Sequence, residues 1–146
     1  MAKLLGTAYE VGNTESVVSR KPTSGTAIQE GLFVKQGAFG FVSLANTNSA
    51  SAPWGIMAQQ EAVACSVLLS GLRVAVQLDS AITPNAGEPV YCSAVTNKAT
   101  NTSNSGTNFG TNATFTGVIG TDGYFNNDNS STTNARWAEI NLPNGL

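Results

Sequence analysis

The clearest pattern in the chain lies at residues 71–78, where Leu72, Val74, Val76 and Leu78 alternate with Arg73, Ala75 and Gln77. An extended backbone puts the first set on one face and the second on the other, whereas a helix would scatter both. The alternation predicts a half-buried strand with Leu72, Val74, Val76 and Leu78 inward. Shorter apolar runs at 32–34, 39–44, 54–60, 62–69, 89–92, 114–120 and 136–142 are bounded by Gly, Pro, Asn and Ser, and read as further strands. In the last of them Ala138, Ile140 and Leu142 share the inward face. Trp137 falls on the other side, where a second buried face or a partner has to receive it. The run 83–87 (Thr-Pro-Asn-Ala-Gly) is a strong turn, and 95–100 reads as a tight hairpin around Asn97. Residues 101–112 and 122–133 are rich in Asn, Thr, Ser and Gly and read as long loops. No segment carries the i, i+3, i+4, i+7 apolar spacing of an amphipathic helix. The pattern therefore predicts an all-β fold, an antiparallel β-sandwich or small β-barrel.

Residues 1–27 differ from the rest. Gly6, Gly12, Pro22 and Gly25 break any period there, and the composition fits either an extended arm or a disordered terminus. We read an extended N-terminal arm over 1–27 and a single β domain over 28–146. Leu4, Leu5, Tyr9, Val11, Val17 and Val18 recur often enough along the arm to fill shallow pockets or add a strand to an exposed edge, so they, with Trp137, are the candidate partner-binding residues.

Composition narrows the function. Only 11% of the residues are charged and the formal net charge is −2, against about 25% charged in ordinary soluble domains. The surface is thus mostly uncharged hydroxyl and amide, which costs less to desolvate against another protein than a Lys/Glu surface does. The seven Lys and Arg residues are scattered rather than clustered, which argues against a nucleic-acid partner. No apolar run is long enough to span a bilayer or form a signal-peptide core, so a membrane is not expected and synthesis in a cytoplasm is. Cys65 and Cys92 stand in apolar, strand-like stretches and read as free core thiols, a disulfide being the alternative.

The chain has no histidine. That removes the commonest general base and the commonest metal ligand, and with them Ser-His-Asp and Cys-His mechanisms. Two cysteines lack the further soft ligands of a zinc site. Among the carboxylates, Glu61, Asp79, Glu88 and Glu139 stand on or near strands and read as strand-end or turn residues rather than as a glycosidase pair. The 122–129 loop lacks the spacing of an EF-hand. Asn-x-Ser/Thr matches at Asn101, Asn112 and Asn129 are what a chain rich in these residues produces by chance. Trp54, Tyr91, Tyr124 and Trp137 are the aromatic candidates for stacking on a sugar or anchoring an interface. We expect a non-enzymatic protein with no cofactor and no metal.

One order of features spans residues 54–142: Gly55-Ile56-Met57-Ala58, the alternating strand 72–78, a turn into Gly87-Glu88-Pro89-Val90-Tyr91, the hairpin Asn97-Lys98-Ala99-Thr100, then Phe115-Thr116-Gly117-Val118-Ile119-Gly120 and Ala138-Glu139-Ile140-Asn141-Leu142. In this order the chain resembles the small head-decoration, or capsid cement, proteins of tailed bacteriophages. It departs from the smallest of them in its long Asn-rich loops and its N-terminal segment. The resemblance implies a β-rich virion protein, made in the host cytoplasm, that binds the exterior of an expanded capsid where capsomers meet. Its expected partners are the major capsid protein and its own copies, as a dimer or trimer. The competing expectation is a carbohydrate- or receptor-binding β module of a phage tail fibre or other appendage. It ranks second because such modules sit within longer chains, whereas this one opens on Met1 and closes soon after its last strand.

Overall fold

The computed structural model describes residues 15–22, 28–36, 41–44, 53, 55–59, 65–79, 82–103, 108–121, 135–143 and 145. They contain no helix and form nine strands: β1 (Glu15–Pro22), β2 (Phe33–Gln36), β3 (Phe41–Leu44), β4 (Gly55–Gln59), β5 (Cys65–Gln77), β6 (Pro89–Cys92), β7 (Ala99–Thr100), β8 (Phe109–Thr121) and β9 (Arg136–Leu142). The all-β expectation holds, with a barrel-like arrangement.

The pairings run in two circuits that share β5. In the first, β1 pairs with β3, β3 with β2, β2 with β4 and β4 with β5, and β5 returns to β1. In the second, β5 pairs with β9, β9 with β8, β8 with β6 and β6 with β7, and an isolated parallel bridge from Ala99 to Leu78 brings the chain back to the end of β5. All strand pairings are antiparallel except β1 with β3.

Three expectations are corrected. The described parts of the runs at 62–69 and 71–78 meet in one thirteen-residue strand, β5, over Cys65–Gln77. Its first half pairs with β4 and β1, and its second half with β9. The expected loop 101–112 ends early, because β8 begins at Phe109. There Cys92 stands opposite Phe109 and Tyr91 opposite Gly110, while Ala113 joins the core. Polar composition hid a strand whose inward positions are few but well placed. Finally, within the expected arm Glu15–Pro22 is extended, but as β1 it pairs with the chain's own β5 from Glu15 opposite Gly71 to Arg20 opposite Cys65. The loop expected at 122–133 lies outside the described residues.

The short apolar runs at 32–34, 56–57 and 67–68, which do not alternate, are buried on both sides. Phe33, Ile56 and Leu68 face the main core, while their neighbours Val34, Met57 and Val67 form a second cluster with Ile28 and Leu32. Adjacent residues of a strand point to opposite faces, so a run apolar at every position marks a strand covered twice. The main core continues into the second circuit through Val74, Val76 and Leu78 of β5 and its end, Val90 and Cys92 of β6, Ala113 and Phe115 of β8, and Ala138, Ile140 and Leu142 of β9.

The two expected turns are present, each at a residue suited to positive φ. Glu88 N–H donates to Asn85 O at 3.2 Å, and Gly87, third in that turn, has φ 88°, the type II arrangement that favours glycine there. Asn97 has φ 61° in the β6–β7 hairpin, whose ladder sets Cys92 opposite Ala99. Ser93 O accepts from Asn97 N–H at 3.1 Å, and the Ser93 hydroxyl accepts from the N–H groups of Val95 and Thr96. Asn97 O then accepts from Phe33 N–H at 3.0 Å, which ties the hairpin to β2 and one circuit to the other.

Candidate interaction site

The residues expected to meet a partner fall into three groups. Leu4, Leu5, Tyr9 and Val11 lie outside the described residues, as do Trp54, Glu61 and Tyr124. Val17 and Val18 stand in β1 at register positions opposite Leu68 and Val67. Trp137 is fully buried within the chain, and as a surface partner residue it is corrected: it packs with Ala75, Val118 and Ala135 on the second face of β5 and β9. The lid of that face is the segment entering β2. A Cβ on Gly31 would meet Trp137 Cζ3 at 2.5 Å and Gln77 N at 2.9 Å, and Gly31 sits at φ 86°. Only glycine passes so close to the indole. Gln77 N–H donates to Gly31 O at 3.0 Å, and Gln77 Nε2 donates to Glu30 O at 2.8 Å and Gln29 Oε1 at 3.2 Å. A second buried face, not a partner, receives Trp137.

The described carboxylates are engaged locally. Asp79 Oδ1 accepts from the Thr96 hydroxyl at 3.3 Å. Glu88 accepts from Asn101 Nδ2 at 2.9 Å, Asn85 N–H at 3.0 Å and Asn85 Nδ2 at 3.3 Å. These donors, Asn101 first, hold its carboxyl below the usual glutamate range. Cys92 is a free, buried thiol whose pKa burial pushes up to about 12, so it is a poor nucleophile at neutral pH. Among the described residues no three His, Cys, Asp or Glu side chains gather as a metal site.

The most unusual geometry surrounds Glu139 on β9. Both neighbouring strands break register nearby, β8 at Glu139 itself and β5 two residues along at Asn141. On β5, Gly71 stands opposite Leu142 and Val74 opposite Ile140, so Leu72 and Arg73 together face Asn141. On β8, Phe115 stands opposite Ile140 and Ile119 opposite Ala138, so three residues span Glu139, with Gly117 at φ 93°. Arg73 has φ 61°, and its N–H donates to Asn141 Oδ1 at 3.0 Å. The Thr116 hydroxyl donates to Glu139 Oε1 at 2.9 Å, and Arg73 Nε lies 3.6 Å from Glu139 Oε2. The Arg73 side chain is 61% exposed and that of Glu139 only 12%, while Leu72, expected inward, is 36% exposed. The bulge turns Leu72 out of the alternation.

A left-handed conformation at a non-glycine residue costs about 1–2 kcal/mol. An exposed ion pair returns about 0–1 kcal/mol. Stability alone therefore does not account for arginine at position 73. No local signal announces this site, since residue 73 is neither Gly nor Asn and the bulge is defined only by the pairing with β9.

No protein-family profile matches the chain, and no curated protein matches it in sequence. Its fold does have a counterpart. A chain in a solved structure described as "The capsid of Myoviridae Phage XM1" superposes with a TM-score of 0.70 at 15% identity, over 96% of this chain and 91% of that one. The likeness extends over nearly the whole of both chains, and at this identity it establishes a shared fold.

Proposed function

We propose that this chain is a structural virion protein of a tailed phage that binds the outer surface of the assembled capsid at capsomer junctions and stabilises the shell. The carrying observation is the nearly end-to-end fold match with a chain from a phage capsid, joined to the sequence resemblance to head-decoration proteins. The absence of histidine and the 11% charged composition support a binding role over a catalytic one. Binding needs no active site to strengthen a shell. A ligand that prefers joined capsomers shifts their equilibrium by RT ln(1 + [L]/Kd) at each site, and many sites add. Residues 1–14, with Leu4, Leu5, Tyr9 and Val11, serve in this reading as the segment that reaches a capsid subunit or a neighbouring copy in a dimer or trimer. Fourteen extended residues span up to about 50 Å.

The test is cosedimentation of the purified chain with decoration-free, expanded capsids, followed by heating. Saturable binding and a higher temperature of DNA release are expected. Deleting residues 1–14 should leave the β-sheet circular dichroism unchanged and weaken occupancy. Binding to a glycan array without binding to capsids would overturn the proposal in favour of a receptor-binding module.

A further inference from the structure

Arg73 combines three observations that stability does not explain together. It holds a backbone conformation that asparagine or glycine would adopt more readily. Its guanidinium is mostly exposed, with Glu139 behind it at 3.6 Å through Nε, too far for a close charge-assisted hydrogen bond. Beside it stands Leu72, one of two large hydrophobic residues exposed among the described ones, the other being Val95. The site is also held by its neighbours. Bulges on β5 and β8 flank it, Asn141 fixes the Arg73 backbone and Thr116 fixes the Glu139 carboxylate.

We infer that Leu72 and Arg73 form a preorganised docking point whose ligand is a carboxylate beside a shallow apolar pocket on a protein surface, the capsid shell in the function proposed above, on which this inference rests. A guanidinium held from behind at Nε leaves its outer nitrogens to fork onto a carboxylate of the partner, a pairing for which arginine is suited and lysine is not. The strained backbone turns Leu72 and Arg73 outward at one bulge. Because the geometry exists before binding, little side-chain order has to be created on contact. Charge complementarity selects the partner's chemistry: the chain contributes the cation, and Glu139 supplies only part of what the cation can bind.

The experiment pairs a stability readout with a binding readout on the full chain. Arg73→Gly removes the side chain and suits the left-handed conformation, so relief of backbone strain offsets the lost ion pair and the freer unfolded chain, and the melting temperature should stay within about 2–5 °C while capsid affinity falls at least about tenfold. Arg73→Asn, which also tolerates this conformation, should behave the same way. Arg73→Lys keeps the charge but not the fork and should bind several-fold more weakly than the unaltered chain. Leu72→Ser should lose affinity with little change in melting. If Arg73→Gly or Arg73→Asn melts lower and binds as tightly as the unaltered chain, Arg73 is a structural residue and the inference is overturned. If the unaltered chain itself does not bind capsids, the proposed function falls and this inference with it. Binding by all variants alike overturns the inference and leaves the proposed function standing.

Discussion

Arg73 and Gln77 stand four residues apart on β5, and alternation assigns them to one face of the strand. One side chain is 61% exposed and the other residue is 1% exposed. The difference lies in what each meets. Gln77 lies under the segment entering β2, which supplies Gly31 O and Glu30 O as acceptors for its main-chain and side-chain N–H groups. Arg73 lies in a register break, where two residues oppose one and the ladder turns them outward. Periodicity reports which residues share a face. Whether that face is covered is decided by segments far away in sequence.

Substitutions along the strand separate the two positions most directly. Val76→Asp places an unpaired carboxylate in the main core, which costs several kcal/mol against a total stability of about 5–15 kcal/mol, and should abolish the β-sheet circular dichroism. On the other face, Gln77→Asp should approach it in severity, because it buries a carboxylate among acceptors it cannot bond. Arg73→Asp should lower the unfolding free energy read from urea titrations by about 1 kcal/mol or less. The alternation by itself predicts that both outward substitutions are mild. Urea midpoints that agree for Gln77→Asp and Arg73→Asp would show that residues 28–32 do not cover the face.

Gly31→Ala sharpens the same point from the covering side. The added methyl meets the Trp137 indole and the Gln77 main chain, and residue 31 must still hold φ 86°. Overpacking and backbone strain together should cost about 2–4 kcal/mol. Trp137 emission in urea titrations would follow the loss alongside Trp54, and a Trp54→Phe background isolates the buried indole. An unchanged midpoint would mean that the lid moves away from Trp137 at little cost.

What was legible in the sequence follows from how local its cause is. The turn at Gly87 and the hairpin at Asn97 were readable because the residues that favour positive φ stand at the positions that need it. The inward set Val74, Val76 and Leu78 was readable from alternation, and so was the opposite placement of Trp137 from Ala138, Ile140 and Leu142. The second buried face was not, since it is assembled from Ala75, Gln77, Trp137 and a glycine more than forty residues upstream of Gln77, with no shared periodicity. The bulge at Leu72 and Arg73 was also hidden. It exists only in relation to β9, and arginine is an unusual residue to find at its positive φ.

The smallest effect concerns Glu88, which joins the Asn85 turn to Asn101 beyond β7 and so belongs to the second circuit alone. Donation from Asn101 Nδ2, then from the Asn85 main chain and side chain, favours the charged carboxylate and sets its folded pKa below the ordinary 4.5. A folded pKa lowered in this way stabilises the protein above the unfolded value, and the contribution disappears as pH falls from about 4.5 through the lower folded value. In Glu88→Gln the acceptor is a neutral amide, and this source of pH dependence is gone. The unaltered protein should therefore be the more stable of the two at about pH 6, and the gap should narrow as pH falls below 4.5 through the lower folded value. Asn101→Ala removes the largest cause and should narrow the pH dependence without abolishing it, since the Asn85 donors remain. Urea midpoints for the three proteins across this range decide the matter. A gap between the unaltered chain and Glu88→Gln that stays constant down to pH 3 would mean that the Asn85 and Asn101 donors do not prefer the charged carboxylate, and that the turn is held by its backbone hydrogen bond and Gly87 instead.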